Sequence, residues 1–450
     1  MQLKPGGIAA TIGALAAGLV ALPAAAQQQQ QDAPSVAPGN AYDQSASDVD
    51  ALVADSAVLY YQEDGGRVRA VEAETGLAWT GADGLAVSGR FTYDSLTGAT
   101  PNGATRARYD QDFIGPLPAG GHLPAADTRT GASGAYTAPA GTLPVDPHFK
   151  DQRKAGDLGL TLPARAGFRL SLGGNASWES DYTSWSWRVG LAKDLFDKNT
   201  TLSLGYNYEH DESKPITGIP MPLGSMGDPA IGKQRIKRVD SLVLGITQVL
   251  TPAWLVQFNW STGNSRGYHT DPYKLVTLTD RDSGDPFFYV YESRPRRRIR
   301  NSLFLASKLA LGSYVTDATA RWYHDSWGIT AWTFGLSEHL PAGRSAYVEP
   351  LVRYYHQSKA DFFRNYLLLD EPTPTYVSAD SRLGAFGAWT FGLKGGVHLS
   401  DRVELYGSAQ RYVQNGKRFY RDAPGTMAKV DLFAGSRSTS LVAGLRYHLR

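Results

Sequence analysis

The sequence predicts an all-β fold, a transmembrane antiparallel up-and-down β-barrel of about 16 strands with short periplasmic turns and long extracellular loops. Three observations support this prediction. From Ser56 onward, apolar and polar residues alternate with a period of two over segments of ~10 residues or more, enough for a tilted strand to cross a bilayer. Trp and Tyr lie at the ends of the apolar rows, as in aromatic girdles. The connections between segments alternate between short and long.

The alternation is clearest in five segments. Their apolar positions are Phe168, Leu170, Leu172 and Trp178; Trp185, Trp187, Val189 and Leu191; Leu202, Leu204, Tyr206 and Tyr208; Trp254, Val256, Phe258 and Trp260; and Leu441, Ala443, Leu445, Tyr447 and Leu449. A helix needs apolar residues three and four positions apart, so the pattern excludes helix. A soluble β-sandwich also alternates, but segment length and aromatic rows favour a membrane barrel. The same phase predicts that Trp185, Trp187, Trp332 and Phe334 face lipid.

The connections follow a parity rule. Short connections lie at 81–84, 163–166, 196–199, 251–252, 311–313, 341–344 and 400–402. The others are long (97–150, 211–235, 264–295, 359–380 and 416–437) or tight (63–66, 181–184 and 324–328). With the short class in the periplasm and the others outside, the two classes alternate strictly from residue 55 to residue 449. This predicts an even number of strands with both termini in the periplasm.

Three regions are expected along the chain. Residues 1–26 resemble a signal peptide, with Lys4 before an apolar run and an Ala24-Ala25-Ala26 cleavage site. Residues 27–54 are rich in Gln, Ala, Pro and Ser and are expected to be a disordered periplasmic leader. Residues 55–450 form the predicted barrel. We therefore expect a protein that is exported, with signal cleavage, to a Gram-negative outer membrane.

Composition argues against several functions. The formal net charge is +2, which gives no electrostatic footprint for nucleic acid. There is no Cys, and the nine His residues show no ligand spacing, so neither a metal nor a cofactor is expected. His324 and Ser326, two apart and beside Asp325, leave an outer-membrane hydrolase open as an alternative. No nucleophile elbow or HExxH motif accompanies them, and we expect no enzyme.

The polar strand faces predict a lumen that contains both signs of charge. Its candidate residues are Arg90, Arg169, Arg188, Asp194, Asp317, Arg321, Glu349 and Arg353. Either these charges pair across strands in a wet interior, or they form a zone that selects solutes. About sixteen strands leave an aqueous channel unless loops fill it. The 97–150 loop is long enough to fold inward, although its Gly, Pro and Ala content suggests no core of its own.

A basic run, Arg294 to Arg300, falls in a predicted outer loop and strand start. Guanidinium groups pair with phosphate, so this run either contacts lipopolysaccharide or forms a solvated rim. The expected partners are outer-membrane lipid and lipopolysaccharide, the barrel-assembly machinery during biogenesis and, as a further candidate, a periplasmic protein.

Several motifs together resemble the proteobacterial outer-membrane barrel family labelled domain of unknown function 3570. They are YDSLTGATPNGA (93–104), SWESDYTS (177–184), DPYK (271–274), ESRPRRR (292–298), RWYHDSWGIT (321–330), LVRYYHQSKADFF (351–363) and YVSADSRL (376–383). The resemblance runs from about residue 50 to the C-terminus. It implies a barrel without an established activity. It also implies a loose association with periplasmic flavin-transfer and thioredoxin-like proteins, although no residues here indicate a flavin or haem site.

The topology brings a polar set to the predicted extracellular mouth. Its members, all at outer strand ends, are Asp94, Glu179, Asp181, Arg298, Asp325, Gln357 and Arg382. This cluster either contacts a solute or, together with Gly98 and Thr100, anchors inward-folded loops. Two main functions follow: a pore or transporter for a small solute, or a structural or partner-binding barrel serving a periplasmic system.

Overall fold

The computed structural model describes residues 51–117 and 134–449, which form a closed antiparallel barrel of sixteen strands with smaller sheets in its loops. The strands in chain order are β1 (Ala51–Glu63), β2 (Arg69–Thr80), β3 (Ala86–Thr97), β4 (Gln111–Ile114), β5 (Ala135–Ala138), β6 (Lys150–Arg165), β7 (Phe168–Trp178), β8 (Tyr182–Leu195), β9 (Thr200–Ser213), β10 (Arg235–Thr251), β11 (Trp254–Gly267), β12 (Leu275–Thr279), β13 (Pro286–Tyr291), β14 (Arg297–Leu311), β15 (Tyr314–Asp325), β16 (Thr330–Ala342), β17 (Ala346–Gln357), β18 (Leu367–Leu368), β19 (Phe386–Ser400), β20 (Val403–Asn415) and β21 (Arg437–His448). Three short 3-10 helices cover Asp64–Gly66, Ser381–Leu383 and Gly425–Lys429.

The barrel closes where its first strand meets its last. β1 pairs antiparallel with β21, from Val53 opposite His448 to Glu63 opposite Ser438. All strands except β4, β5, β12, β13 and β18 belong to the barrel. Closure leaves no unpaired strand edge, which is the condition for a sheet to span a bilayer. The predicted fold class and strand count are confirmed.

In the part of the chain that is described, no helix has both the length and the apolarity needed to cross a membrane.

The two faces of the strands differ as the alternation predicts. Trp185, Trp187, Trp332 and Phe334 are each close to half exposed on the outer surface. On β15 the residue that precedes Trp322, Arg321, faces inward and lines a cavity. The apolar outer band and polar lumen are those of a transmembrane barrel.

Eight connections lie at the end that we assign to the outside, and we number them L1 to L8. They are L1 (64–68), L2 (98–149, described at 98–117 and 134–149), L3 (179–181), L4 (214–234), L5 (268–296), L6 (326–329), L7 (358–385) and L8 (416–436). At the opposite end the turns are short, at 81–85, 166–167, 196–199, 252–253, 312–313, 343–345 and 401–402. The predicted strict alternation of the two classes is confirmed.

The larger loops pack on one another and contain most of the buried apolar core. L5 and L7 share a three-stranded sheet in the order β13-β12-β18, and β4 pairs with β5 within L2. Ala104, Phe113 and Ala138 of L2 bury against Leu275 and Tyr291 of L5. The described part of L2 therefore takes part in a core that it shares with L5, rather than in a core of its own.

The start of the barrel also differs from the expectation. β1 begins at Ala51, so residues 51–54, expected in the leader, are strand. Ala51 pairs with Thr80 and Val53 with His448, so neighbours on both sides hold a segment whose own alternation is weak. The predicted signal peptide (1–26) and the leader up to residue 50 lie outside the described residues.

Candidate functional site: a chamber beneath the loop roof

Hydrogen bonds tie five of the loops together, and we call L2, L4, L5, L7 and L8 the roof. Backbone hydrogen bonds join L2 to L4, L2 to L5, L5 to L7 and L5 to L8; they are Leu117 N to Asp228 O (3.1 Å), Leu275 N to Asn102 O (2.7 Å), Ser293 N to Val377 O (2.9 Å) and Thr426 N to Ser283 O (2.8 Å). L5 takes part in three of these four links. It is therefore the central loop of the roof.

L2 turns at Gly98, immediately after β3. Gly98 has φ +82°, and a Cβ there would lie 2.0 Å from the carbonyl oxygen of Arg67. Only glycine tolerates both the left-handed backbone and this close approach. Two residues later, Thr100 Oγ1 accepts a hydrogen bond from Lys274 Nζ at 2.7 Å. This contact ties the start of L2 to L5.

A cluster of buried charges, which we call the roof node, joins L5 to L7. It consists of Asp271, Lys274, Glu292 and Arg294 from L5 and Asp380 and Arg382 from L7. Arg382 bridges Asp271 (2.8 Å) and Asp380 (2.5 Å). Arg294 bridges Glu292 (2.6 Å) and Asp380 (2.8 Å). Three cations balance three anions, so the node is neutral as a whole.

The electrostatics of the node favour the ionised forms of Asp380 and Asp271. Burial alone would raise the pKa of Asp380, but Arg382, Lys274 and Arg294 outweigh burial and hold that pKa below its usual value. The pKa of Asp271 is lowered in the same way, mainly by Lys274 and Arg382 against its burial. Buried pairs of this kind depend on mutual compensation, so the loss of one partner leaves an uncompensated charge.

A second buried pair fixes L6. Arg298 Nη2 lies 2.6 Å from Asp325 Oδ2, and the Arg298 guanidinium lies 4.4 Å from the centre of the Trp327 ring. Asp325 Oδ1 accepts hydrogen bonds from the backbone N–H groups of Trp327 (2.9 Å) and Ile329 (3.1 Å). The carboxylate therefore ends β15 and shapes the turn that follows.

Two further mouth residues also hold other parts of the chain. Gln357 Nε2 donates to the backbone oxygens of Arg382 (3.0 Å) and Gly384 (2.7 Å), which ties the end of β17 to L7. Asp94 accepts from Arg153 Nε at 2.5 Å, and Arg153 also donates to Glu72 at 3.1 Å. Arg153 therefore links β6 to both Asp94 on β3 and Glu72 on β2.

Beneath the roof lies a cavity of about 390 Å³, which we call the chamber. Six of the seven predicted mouth residues line it: Asp94, Glu179, Asp181, Arg298, Gln357 and Arg382. The seventh, Asp325, is buried behind Arg298. Aromatic side chains from L2, L5, L6 and the barrel, including Phe113, Tyr273, Trp327 and Tyr323, complete the walls. A cavity whose walls combine aromatic surface with polar groups is typical of a small-molecule site.

One wall of the chamber is acidic. Carboxylate oxygens of Asp151, Glu179 and Asp181 lie within 4.8 Å of one another. Tyr273 donates to Asp181 at 2.8 Å, and Ser180 donates to Asp151 at 2.6 Å. Burial, followed by the charge of Asp151, raises the pKa of Glu179 to about 8 and that of Asp181 to about 6. Oxygens this close suit either a hard cation or an ammonium group.

On the opposite side of the lumen, the guanidinium group of Arg321 lines the chamber. Arg321 on β15 donates from Nε to Ser302 Oγ at 2.8 Å. Within residues 51–117 and 134–449, no carboxylate forms an ion pair with Arg321. Its remaining N–H groups are placed to meet an anionic group of a ligand.

This contrast extends along the whole lumen. Inward positions of β1–β9 hold mainly acids: Glu63, Asp55, Glu72, Glu74, Asp94, Asp151, Asp157, Asp194, Glu209 and Asp211, against Arg90, Arg153, Arg169 and Arg188. Inward positions of β10–β21 hold mainly bases: Arg235, Lys237, Arg298, Arg300, Lys308, Arg321, Arg353, Lys394 and Arg446, against Asp317, Asp325, Glu349 and Glu404. The lumen is therefore polarised from side to side.

All eight predicted lumen charges face the barrel interior, and most are paired. The pairs are Arg90–Glu74 (3.3 Å), Arg169–Asp194 (3.2 Å), Arg188–Asp157 (2.7 Å), Lys308–Asp317 (3.4 Å) and Lys394–Glu349 (2.9 Å). Arg353, on the inward face of β17, has no carboxylate partner in the described part of the chain. Pairs such as Arg90–Glu74, with side chains 44% and 34% exposed, lie in a solvated space.

The residues of the hydrolase alternative do not meet. His324 points outward and hydrogen-bonds Thr330 Oγ1 at 3.0 Å, whereas Asp325 is buried on the inward side. Ser326 lies in L6, beyond the end of β15, where its Oγ accepts from Ile299 N at 2.9 Å. His324 and Ser326 therefore contact different partners, and Asp325 lies on the opposite, inward side, so these three side chains do not form a catalytic triad.

Sequence reasoning missed several chamber and node residues. They are Asp151, Asp271, Tyr273, Lys274, Glu292, Arg294 and Asp380. Six of them fall within the segments 271–274, 292–298 and 376–383 that carry the family resemblance. Their grouping depends on how L5 and L7 fold against each other, and strand alternation contains no information about this packing.

The even strand number, short turns at one end, long loops at the other and apolar outer band define an outer-membrane β-barrel. The chain belongs to the family described as "Protein of unknown function (DUF3570)", whose model matches residues 12–448. A comparison with curated proteins found no match.

Several solved structures are similar to this chain at low sequence identity. They include the ferric enterobactin receptor PfeA of Pseudomonas aeruginosa (10% identity, TM-score 0.39, 81% of this chain and 54% of that chain). CdiB from Acinetobacter baumannii (8%, 0.44, 88% and 60%) and a bacterial polysaccharide outer membrane secretin (9%, 0.41, 90% and 99%) are also similar. The chain spans about half the length of the enterobactin receptor structures it matches.

Proposed function

We propose that this barrel is an outer-membrane pore or transporter for a small polar solute, and that the chamber is where the solute is selected. The observation that carries the proposal is the polarised chamber, with an acidic wall at Asp151, Glu179 and Asp181 and a basic side at Arg321. A barrel of this width has an aqueous interior unless loops fill it. The partly exposed ion pairs of the lumen support a solvated path below the chamber.

The two walls favour a solute that carries both charges. A positive group would lie against the three carboxylates, and a negative group would meet the Arg321 guanidinium. The aromatic side chains between them suit a small apolar part of the same molecule. A cavity of about 390 Å³ lies in the range of small-molecule sites and limits the solute to modest size.

Planar-bilayer recording with liposome swelling tests this proposal. The full chain, purified and refolded, is expected to give discrete conductance steps. Liposomes containing it are expected to swell faster in a zwitterionic amino acid than in a neutral sugar of similar size. The proposal is wrong if the wild-type chain gives neither conductance nor swelling.

A matched pair of variants distinguishes selectivity that is set in the chamber from selectivity that is set by the total charge of the lumen. Arg321→Gln removes the unpaired guanidinium of the chamber, and Arg90→Gln removes one that is paired with Glu74 at 3.3 Å. We expect Arg321→Gln to abolish the preference for the zwitterion and Arg90→Gln to retain it. An equal loss in both variants would mean that total lumen charge, and not the chamber, sets selectivity.

The second candidate is a capped scaffold that serves a periplasmic partner, for which the family resemblance suggests an envelope redox system. The buried roof node favours it, because six balanced charges hold L5 to L7 over the mouth. If the barrel is a scaffold, the wild type is expected to pass no current in a planar bilayer. The Arg382→Ala variant, in which the roof is loosened, is expected to pass current. Recognition by the barrel-assembly machinery stays a prediction for either candidate.

A further inference from the structure

Three arginines form a row on the outer surface of the barrel. Arg238 on β10 pairs in register with Arg266 on β11, and Arg266 pairs with Arg297 on β14. All three are exposed. They share the outward phase of Leu244, Trp260 and Leu303, which are in register with one another on the same strands. We call them the arginine row.

The alternation of β14 explains why the basic run 294–300 does not act as one unit. Arg298 and Arg300 point inward, where Arg298 pairs with Asp325 at 2.6 Å. Arg294 is in the buried roof node. Only Arg297 joins the arginine row, and its two neighbours come from distant parts of the sequence.

The arginine row has no protein counter-charge. In the described residues 51–117 and 134–449, no carboxylate forms an ion pair with Arg238, Arg266 or Arg297. The nearby outward carboxylates have other partners: Asp240 accepts from Tyr206 at 2.6 Å, and Glu212 pairs with Lys214 at 2.5 Å.

Like charges directly opposite on adjacent strands are destabilising, since their Cβ atoms lie only ~5 Å apart. Three other exposed arginines of the extracellular end have carboxylate partners. Arg411 lies 2.5 Å from Asp64, Arg418 lies 2.5 Å from Asp431 and Arg281 lies 2.7 Å from Asp370. An anion from outside the chain is the remaining way to neutralise the row.

The height of the row on the barrel identifies that anion. Trp254 begins the apolar outer face of β11, and Arg266 lies near the other end of the same strand. At ~3.3 Å per residue, the two residues are about 40 Å apart along the strand. With a strand tilt of ~40°, this becomes about 30 Å along the membrane normal, just beyond an apolar band of ~25 Å. The row therefore lies at the level of the lipid headgroups on the extracellular side.

We propose that Arg238, Arg266 and Arg297 bind the phosphate groups of lipopolysaccharide in the outer leaflet. Guanidinium groups bind phosphate oxygens through two parallel N–H···O bonds and remain charged at every physiological pH. Three groups side by side match a lipid that carries phosphates at its membrane surface. The acyl chains would then lie along the apolar strand faces below, at Trp260 and Leu303.

Lipopolysaccharide binding to the purified full chain, measured by native mass spectrometry, tests the proposal. The wild type is expected to bind at least tenfold more tightly than the triple variant Arg238→Gln, Arg266→Gln, Arg297→Gln. The matched control, Arg281→Gln, Arg411→Gln, Arg418→Gln, removes the same charge from paired positions and is expected to bind like the wild type. Lipopolysaccharide stripped of phosphate is expected to bind wild type and triple variant equally weakly.

Thermal stability separates binding from folding. Without lipopolysaccharide, the triple variant is expected to unfold at or above the wild-type temperature, because repulsion within the row is gone. Added lipopolysaccharide should stabilise the wild type and not the triple variant. If the triple variant fails to fold, Arg266→Gln alone removes the centre of the row and is expected to weaken binding several-fold.

Three results would overturn the proposal. The first is equal lipopolysaccharide binding by wild type and triple variant. The second is an equal loss in the control variant, which would reduce the effect to net charge. The third is stabilisation by millimolar inorganic phosphate as strong as that by lipopolysaccharide, which would assign the row to a free anion.

Discussion

The roof and the lower lumen contain the same kinds of ion pair in different surroundings. In the roof node and at the mouth the partners are buried, as for Arg298 and Asp325, whose side chains are 6% and 0% exposed. In the lower lumen, Arg90 and Glu74 are more than a third exposed. Exposed pairs contribute little to stability, whereas removal of one partner from a buried pair leaves a costly unpaired charge. The buried pairs therefore maintain structure, and the exposed lumen pairs contribute little to it.

The largest difference between the two regions is expected in the free energy of unfolding when a single arginine is replaced by alanine. Arg382→Ala removes the cation that bridges Asp271 and Asp380, and it should lower the free energy of unfolding by about 3–5 kcal/mol. Arg90→Ala should change it by less than about 1 kcal/mol. Denaturant unfolding, followed by Trp fluorescence, measures both. Similar losses in the two variants would mean that burial does not distinguish the regions.

A pair of glycines gives the next largest effect. Gly98→Ala places a Cβ against the Arg67 carbonyl, and displacement of L2 should cost about 2 kcal/mol or more. Gly66→Ala in L1 has a similar φ of +71° but no atom within 4 Å, so only backbone strain of about 1 kcal/mol applies. Proteolysis of L2 is expected to accelerate in the first variant alone. Equal sensitivity in both would contradict the anchoring of L2 at Gly98.

The barrel was predictable from sequence because its determinants are local. The alternation of apolar and polar residues assigned Trp185 to the lipid face and Arg188 to the lumen. The order of short and long connections placed Glu179 and Arg382 at the same end of the barrel. The roof was not predictable, because its core joins Phe113 to Leu275 and Tyr291 across long stretches of chain. The partners of Arg382 likewise depend on loop packing that has no period in sequence.

A smaller effect concerns pH and the acidic wall. Burial and Asp151 raise the pKa of Glu179 to about 8, so the folded state holds this proton more tightly than the unfolded state does. The contribution of Glu179 to the free energy of unfolding is therefore present at low pH and is lost as pH rises from ~4.5 to about 8. Glu179→Gln mimics the neutral acid and should raise the melting temperature at pH 9 but not at pH 5.

Asp64→Asn in L1 is the control for this prediction, since the hydrogen bond from Arg411 lowers the pKa of Asp64. It should not raise the melting temperature at pH 9. A pH-independent effect of Glu179→Gln would show that Glu179 does not titrate in this range.

The smallest stability effect is expected at the rim. Asp64→Asn breaks the exposed pair with Arg411 and should change the free energy of unfolding by less than about 1 kcal/mol, the range of surface pairs. The measurement is the same denaturant titration as for Arg382→Ala. A loss comparable to that of the roof variant would refute the distinction between buried and exposed pairs.

The central claim, that opposed charges in the chamber select the solute, is tested most directly by reversal potentials in a KCl gradient at pH 9. The double variant Glu179→Gln, Asp181→Asn should shift wild-type selectivity toward anions, and Arg321→Gln should shift it toward cations. At pH 5 the first shift should shrink, because the pKa values of about 8 and 6 leave both carboxyls largely neutral there. Reversal potentials that are the same in all three proteins, or a wild type that passes no current, would contradict the claim.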